Sequence, residues 1–289
     1  MASILDYLDW RGDITFAERP FNEVDNLLLA ELSYLDFGGI VPADFAAAVP
    51  LSDAVAAFTK RTPHADMGVL VPDKIPGLAQ KMAASARFRD VLLSGYVCKL
   101  DEQTETQFAA LCAALPDGTV YAAFRGTDDT IVGWKEDFNM DFLPIVPSQR
   151  EAADYLRAAA AAFPSQKLRA GGHSKGGNLA VYAAVWCGES VQDQLLAVFG
   201  ADLLGYKGIH DKILAGINNF RLGNTDFVLV QLVLRHGPEQ KRGTGSSQQR
   251  QNNSQRADSK PSSFTVSGKP TVRPAAGVNL FCIFLFILL

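Results

Sequence analysis

The chain has 289 residues, 48% of them hydrophobic, and a formal net charge of −4. That is enough apolar chain for one large α/β domain or two small ones. Lys and Arg are scattered rather than clustered, which leaves no basic surface for a phosphate backbone and sets nucleic-acid binding aside.

The N-terminal stretch MASILDYLDWRGDITF carries acids early and lacks a basic start before an apolar run. It does not read as a signal peptide, and a cytoplasmic location is expected. From Asn22 to Phe37 (NEVDNLLLAELSYLDF) a capping residue precedes Val24, Leu27, Leu28 and Leu32 at helical spacing, and FGGIVP ends the helix. Leu51 to Ala86 reads as short helices joined by proline turns. The period then changes, and three strands are expected at Gly95–Leu100, Thr106–Ala113 and Thr119–Phe124, the first two antiparallel.

Beyond them the chain alternates. Ser148 to Phe163 is a strong helix with Ser148 as its N-cap, Glu151 three residues on, and alanine throughout. KLRAGG is a short strand, Gly176 to Cys187 an apolar helix and QLLAVFGA a further strand. Asp211 to Ala215 suggests a helical turn, and FRLGNTDFVLVQLVL carries more strand signal. This order implies a mostly parallel sheet with helices on its faces.

Near Gly237 the character breaks. RGTGSSQQRQNNSQRADSKPSS is polar, of low complexity and without period, and is expected to be disordered. The final NLFCIFLFILL is almost wholly apolar, yet too short to span a bilayer as a helix, which takes about 20 residues. It reads as a membrane-surface anchor giving weak membrane association, as a buried strand, or as the product of a shifted reading frame. The last is slightly favoured, because the tail matches the rest in neither composition nor period. The four cysteines lie far apart in apolar runs with no CxxC pair, so buried reduced thiols are expected rather than a zinc site or disulfides.

The chemistry centres on RAGGHSKGGNLAVYAA, Arg169 to Ala184. Gly172-His173-Ser174-Lys175-Gly176 follows a strand and opens a helix. A strand-to-helix turn of this kind is strained, needs small flanking residues and lifts the serine Oγ out of the sheet. It also aims the next N–H, that of Lys175, and the helix N-terminus at the same point, as acyl transfer requires. GGHSKGG lacks the order of a phosphate-binding loop.

With VYAAFRGTDDTIVGWKEDF (Val120 to Phe138) the elbow resembles the class 3 lipase-like α/β-hydrolases. Those carry FRGT (here Phe124 to Thr127), then a Trp and an Asp (Trp134, Asp137), then GHSxGG. LDWRGDITFAERPFNEVDNLLLAELSYLDF (Leu8 to Phe37) is similar to an uncharacterised bacterial family of lipase-like hydrolases. The resemblance runs from Met1 to about Leu204. It implies an α/β-hydrolase fold, a small-molecule ester or lipid substrate, no cofactor, and an oxyanion hole from the backbone N–H groups of Thr127 and Lys175. Lipases usually carry an apolar residue at the position of Lys175. The lysine, read as exposed surface, points away from a strongly lipophilic substrate.

A serine needs a base, and the base an orienting acid. The order in this fold is Ser, acid, His. Of the four histidines, His64 reads as a surface residue, and His173 as a packed, hydrogen-bonded neighbour that points away from Oγ. The first choice of acid and base is Asp226 with His236; the second is Asp202 with His210. Asp128, Asp129, Glu136, Asp137 and Asp141 form an acidic cluster read as a helix start and a solvated face rather than a metal site. Asp137 has a second reading, as a brace for the oxyanion loop.

The sequence therefore predicts an α/β-hydrolase-type domain. Residues 1–94 form its helical N-terminal and cap-like segment, 95–236 its core, and 237–289 a polar tail with an apolar end. Serine-dependent ester hydrolysis is the expected activity. The alternative is an inactive or C-terminally altered hydrolase fold that serves as a binding protein.

Overall fold

The computed structural model describes residues 4–68, 71–201, 226–232 and 280–285. Three antiparallel pairings open the sheet. β1 (Val49–Pro50) lies beside β2 (Leu92–Asp101), β2 beside β3 (Thr106–Ala114), and β3 beside β4 (Val120–Phe124). From β4 onward the neighbours are parallel: β5 (Leu168–His173), β6 (Leu195–Ala201), β7 (Asp226–Leu232) and β8 (Leu280–Leu285). The strands lie side by side in chain order, eight of them among the described residues.

Helices cover both faces. α1 (Ile4–Arg11), α2 (Glu23–Leu32), α3 (Leu51–Arg61) and α4 (Ile75–Ala84) precede the main strands. α5 (Ile131–Phe142) and α6 (Pro147–Ala162) join β4 to β5, and α7 (Lys175–Trp186) and α8 (Glu189–Gln192) join β5 to β6. The strands alternate between two cores, as a period of two requires. Leu111, Ala113, Tyr121, Ala123 and Phe199 pack with the N-terminal helices. Their neighbours Ala110, Cys112, Ala122, Phe124 and Val198 pack with α6 and α7. Both faces are buried, which is why these strands read as near-continuous apolar runs. The fold is of the α/β-hydrolase type.

Local chemistry explains the departures from the sequence reading. α2 ends at Leu32, short of Phe37, because the chain tightens into a turn: Ser33 Oγ donates to Ala30 O (2.6 Å) and Tyr34 N to Glu31 O (3.1 Å). α6 begins at Pro147 instead of after Ser148. Its first turn is closed by Val146 N donating to Gln149 Oε1 (3.2 Å), and Ser148 lies buried inside the helix. Cys112 and Cys187 are buried, and burial pushes each thiol up to about 12. Cys98 departs from expectation and is exposed, since β2 becomes solvent-facing beyond Val97. Of the C-terminal apolar run, Leu280–Leu285 forms β8, parallel to β7. Of the tail expected at 237–289, residues 237–279 and 286–289 lie outside the described residues. Among the described residues no helix is long and apolar enough to cross a membrane.

The N-terminal layer is organised by one buried ion pair. Arg87 donates from Nε to Asp25 Oδ1 (2.7 Å) and from Nη2 to Asp25 Oδ2 (2.5 Å). Its Nη1 donates to Ile14 O (2.9 Å), and its guanidinium stacks on Phe16 at 4.1 Å. Asp25 Oδ2 also accepts from Asn22 N (2.9 Å), closing the capping box of α2. One arginine thus fastens the 14–20 segment, the start of α2 and the turn after α4. Asp25→Ala leaves that guanidinium buried and unpaired, which costs about 3–5 kcal/mol. Urea unfolding at pH 7 is expected to show a loss of that size; a loss below about 1 kcal/mol would contradict the organising role.

Candidate active site

β5 ends at His173 and α7 begins at Lys175, so Ser174 alone makes the turn. Its backbone sits at φ 55°, ψ −122°. Among the described residues, it and Glu105 are the two non-glycine residues with positive φ. Holding a non-glycine residue there costs roughly 1–3 kcal/mol, and such strain collects at functional turns. The flanking glycines are set by close approach. A Cβ on Gly172 would lie 2.3 Å from the Gly176 carbonyl carbon, and one on Gly176 would lie 2.1 Å from Phe124 O. Any side chain at either place would push β4 off the elbow.

β4 and β5 are parallel, with Phe124 opposite Gly172. Both chains therefore leave the sheet at the same end, and Arg125-Gly126-Thr127 emerges beside Ser174. A Cβ on Gly126 would meet Tyr34 Oη at 2.0 Å and His173 O at 2.7 Å, so this loop too is pressed against the elbow. Thr127 Oγ1 donates to Asp137 Oδ2 (2.5 Å). Asp128 accepts from Arg125 Nη2 (3.0 Å), Thr130 N (3.1 Å) and Thr130 Oγ1 (2.6 Å), and Thr130 Oγ1 in turn caps α5 by accepting from Gly133 N (3.1 Å).

Lys175 reverses its sequence reading. Its side chain is 0% exposed and turned inward. Nζ donates to Gln107 O (2.9 Å), Gln107 Oε1 (2.6 Å) and Glu136 Oε2 (3.0 Å), so all three ammonium protons have acceptors. Glu136, likewise fully buried, also accepts from Gln107 N (3.0 Å) and Ser148 N (2.9 Å). This lysine makes no surface and bears on no substrate headgroup, so the argument it gave against a lipophilic substrate falls. The acidic cluster is corrected with it: Glu136 and Asp137 face the protein, and α5 is not a solvated acidic face. Burial raises the Asp137 carboxyl, opposed by the Lys175 ammonium, whose Nζ lies 3.9 Å from Asp137 Oδ1. Sequence reasoning missed Gln107 altogether and read Glu136 as part of a solvated face. The available signal was a lysine in the first turn of an otherwise apolar helix, which is a place where a charge must find a partner.

His173 lies on the opposite side of the sheet from this network, under α2. Its Nδ1 is 3.4 Å from Tyr34 Oη and 3.7 Å from Glu31 Oε1. Glu31 is almost wholly buried and neither carboxylate oxygen has a hydrogen-bond partner; His173 Nε2 is in the same condition. Burial raises the Glu31 carboxyl above its ordinary value, with His173 opposing. Burial and then the Glu31 charge push the Tyr34 phenol up as well.

The sheet brings Ser174, Thr127 and Lys175 together. It does not bring Asp226 to them. The register sets Asp226 opposite Ala197, which is itself opposite Arg169, four residues before His173 along the strands. At about 3.3 Å per residue Asp226 starts its strand roughly 13 Å below the elbow. His236, Asp202 and His210 lie outside the described residues. His64 is exposed in the segment after α3. A cavity of about 660 Å³ beside Asp36, Ile40, Tyr96 and Cys98 contains none of the elbow or oxyanion-loop residues in its lining.

A family model described as Mbeg1-like matches residues 82–215. Among solved structures, the chain is similar to a fungal lipase in complex with an inhibitor, described as a model for interfacial activation, at 13% identity and a TM-score of 0.40, covering 77% of this chain and 76% of that one. It is also similar to the Rhizomucor miehei lipase propeptide complex (15%, 0.35, covering 70% and 60%) and to lipase II from Rhizopus niveus (14%, 0.33, covering 64% and 73%). No curated protein matches the chain.

The Glu31 pocket gives a pH-dependent expectation. An acid whose folded pKa is raised costs stability at every pH where the unfolded carboxyl is ionised. That cost is absent below the ordinary carboxylate range, grows as pH rises from there to the raised folded value, and is constant above it. Glu31→Gln is therefore expected to raise the Tm at pH 8, with the gain shrinking toward pH 4. Equal Tm differences at both pH values would show that Glu31 carries no such cost.

Proposed function

We propose that the chain is a serine hydrolase of carboxylic esters, of the lipase-like kind. The observation that carries the reading is Ser174 itself: a serine at positive φ between β5 and α7, with glycines whose Cβ atoms would collide with β4. Structural loops have no need of a strained serine at a helix N-terminus. Acyl transfer does, because it wants an exposed nucleophile with oriented donors beside it. Ser174 Oγ attacks the acyl carbon. The N–H of Lys175, in the first turn of α7 where helical N–H groups lack intrahelical partners, receives the developing oxyanion with the N–H of Thr127. An alcohol leaves, and water releases the acyl group from the serine. The chemistry calls for no metal or organic cofactor.

For acid and base the reading favours Asp202 with His210 over Asp226 with His236. Ala201, at the described end of β6, lies opposite His173, level with the elbow, and Asp202 follows it in the sequence. Asp226 starts its strand at the far end. The base takes the Ser174 proton and returns it to the leaving alcohol, and the acid holds the imidazole.

Labelling with a fluorophosphonate probe tests this. Wild type is expected to label and Ser174→Ala to be silent. His210→Ala is expected to slow labelling by about 10³-fold or more, as loss of a triad base does, while His236→Ala stays near wild type. A folded wild type that does not label would mean that Ser174 lacks a base, and the binding-protein alternative would then stand.

A further inference from the structure

We infer that the buried Lys175–Glu136 pair is a positioning device that holds the two halves of the oxyanion hole at a fixed separation; this rests on the ester-hydrolase reading above. The two donors belong to residues on different strand ends, Thr127 after β4 and Lys175 after β5. Nothing in the sheet ladder, which stops at Phe124 and His173, sets the distance between them beyond those points. The side chains set it instead. Two consecutive residues of α5 each hold one partner: Glu136 Oε2 accepts from Lys175 Nζ at 3.0 Å, and Asp137 Oδ2 accepts from Thr127 Oγ1 at 2.5 Å. Gln107 on β3 closes the ring, accepting from Lys175 Nζ through both of its oxygens and donating from Nε2 toward Gly126 O at 3.4 Å.

Stability does not explain such a pair. Removing two charges from water is expensive, and apolar residues of similar volume in their place are often neutral or stabilising. What apolar contacts lack is direction. A leucine at the elbow would slide against its neighbours by a few tenths of an ångström at little cost. Here three ammonium protons have three acceptors, and Glu136 is fixed from β3 and from the first turn of α6. Oxyanion stabilisation depends on donors held in place before the charge develops. Lys175 and Glu136 are positioning residues through their side chains; of these two residues, only Lys175, through its amide, touches the reacting oxygen.

The test uses Lys175→Met/Glu136→Gln in the full chain. The glutamine keeps one oxygen, for the Ser148 amide, and offers its NH2 to the Gln107 oxygens that the lysine leaves, while the Gln107 amide loses its acceptor. Thermal melting is expected to show a folded protein. Amide exchange over residues 125–131 is expected to rise at least tenfold, and kcat for p-nitrophenyl acetate to fall at least tenfold with KM within twofold. A merely structural pair would move the Tm and leave the kcat-against-KM split alone. If either exchange or kcat stays at the wild-type value, the inference is overturned. If wild type neither labels nor turns over, the hydrolase reading fails, and exchange alone decides the positioning claim, unchanged exchange overturning it. Should the double variant not fold, Glu136→Asp keeps both charges and draws the carboxylate back by one methylene. The same loss of kcat is expected there, and wild-type kcat would overturn the inference.

Discussion

An ammonium group sealed from water has to find its protons acceptors inside the protein, and the arrangement around Ser174 follows from that requirement. Lys175 occupies the first position of α7, one bond from the strained serine. Its aliphatic stem passes into the layer between the sheet and the helices that join β4 to β5. There it meets Gln107 from β3 and Glu136 from α5, and Glu136 meets the amide that opens α6. Three elements that are distant in sequence are thus registered against the elbow by one charge. The strain at Ser174 persists because the surrounding structure over-determines it: the glycines allow β4 to close in from one side, and the lysine anchors α7 from the other.

The opposite face of the sheet imposes a second constraint. α2 is buried on nearly every side, including its polar residues Asp25, Asn26 and Glu31. Each finds a different answer. Asp25 takes Arg87, and Asn26 Oδ1 accepts from Tyr121 Oη at 2.5 Å. Glu31 has the His173 ring for company but no hydrogen bond. Gly171 lets α2 come this close, since a Cβ there would lie 2.3 Å from both Asn26 Oδ1 and Tyr121 Oη. The glycines before the elbow therefore serve two faces. Gly171 admits the N-terminal helix, and Gly172 admits the start of α7. A single sequence motif records packing on both sides of the sheet as well as chemistry at its edge.

What the sequence made legible was whatever depends on period and on the local chain. Thr106 to Phe124 alternates between two apolar faces, and the strands fall almost where that alternation puts them. Ser174 was legible because a strand-to-helix turn needs its glycines adjacent in sequence. The rest depends on partners far along the chain. Nothing in the neighbourhood of Lys175 announces Gln107 or Glu136, 68 and 39 residues away. The N-cap of α6 was misplaced because Ser148 fits the capping pattern, yet its amide is claimed by Glu136. Asp226 looked apt because chain order was all that constrained it, and chain order carries no information about which end of a parallel strand a residue occupies. Cys98 read as buried because its run is apolar, although β2 turns to solvent after Val97.

α5 shows why the amphipathic rule fails at such a site. Its charged residues Glu136 and Asp137 point inward, while Ile131, Phe138 and Phe142 are 75%, 73% and 79% exposed and Trp134 is half-exposed. A helix chooses its buried face by the largest difference in free energy, and apolar area counts for about 25 cal/mol per Å². Against that stands an uncompensated buried ammonium, whose cost is several kcal/mol. Once Lys175 is turned inward, the face of α5 that carries a carboxylate must follow it. Rotating α5 to bury its aromatics would carry Glu136 away from Lys175 and Asp137 away from Thr127 in the same movement. The helix buries Val132 and Met140 but leaves its aromatics outward, because the charge one residue past the nucleophile decides which way it faces.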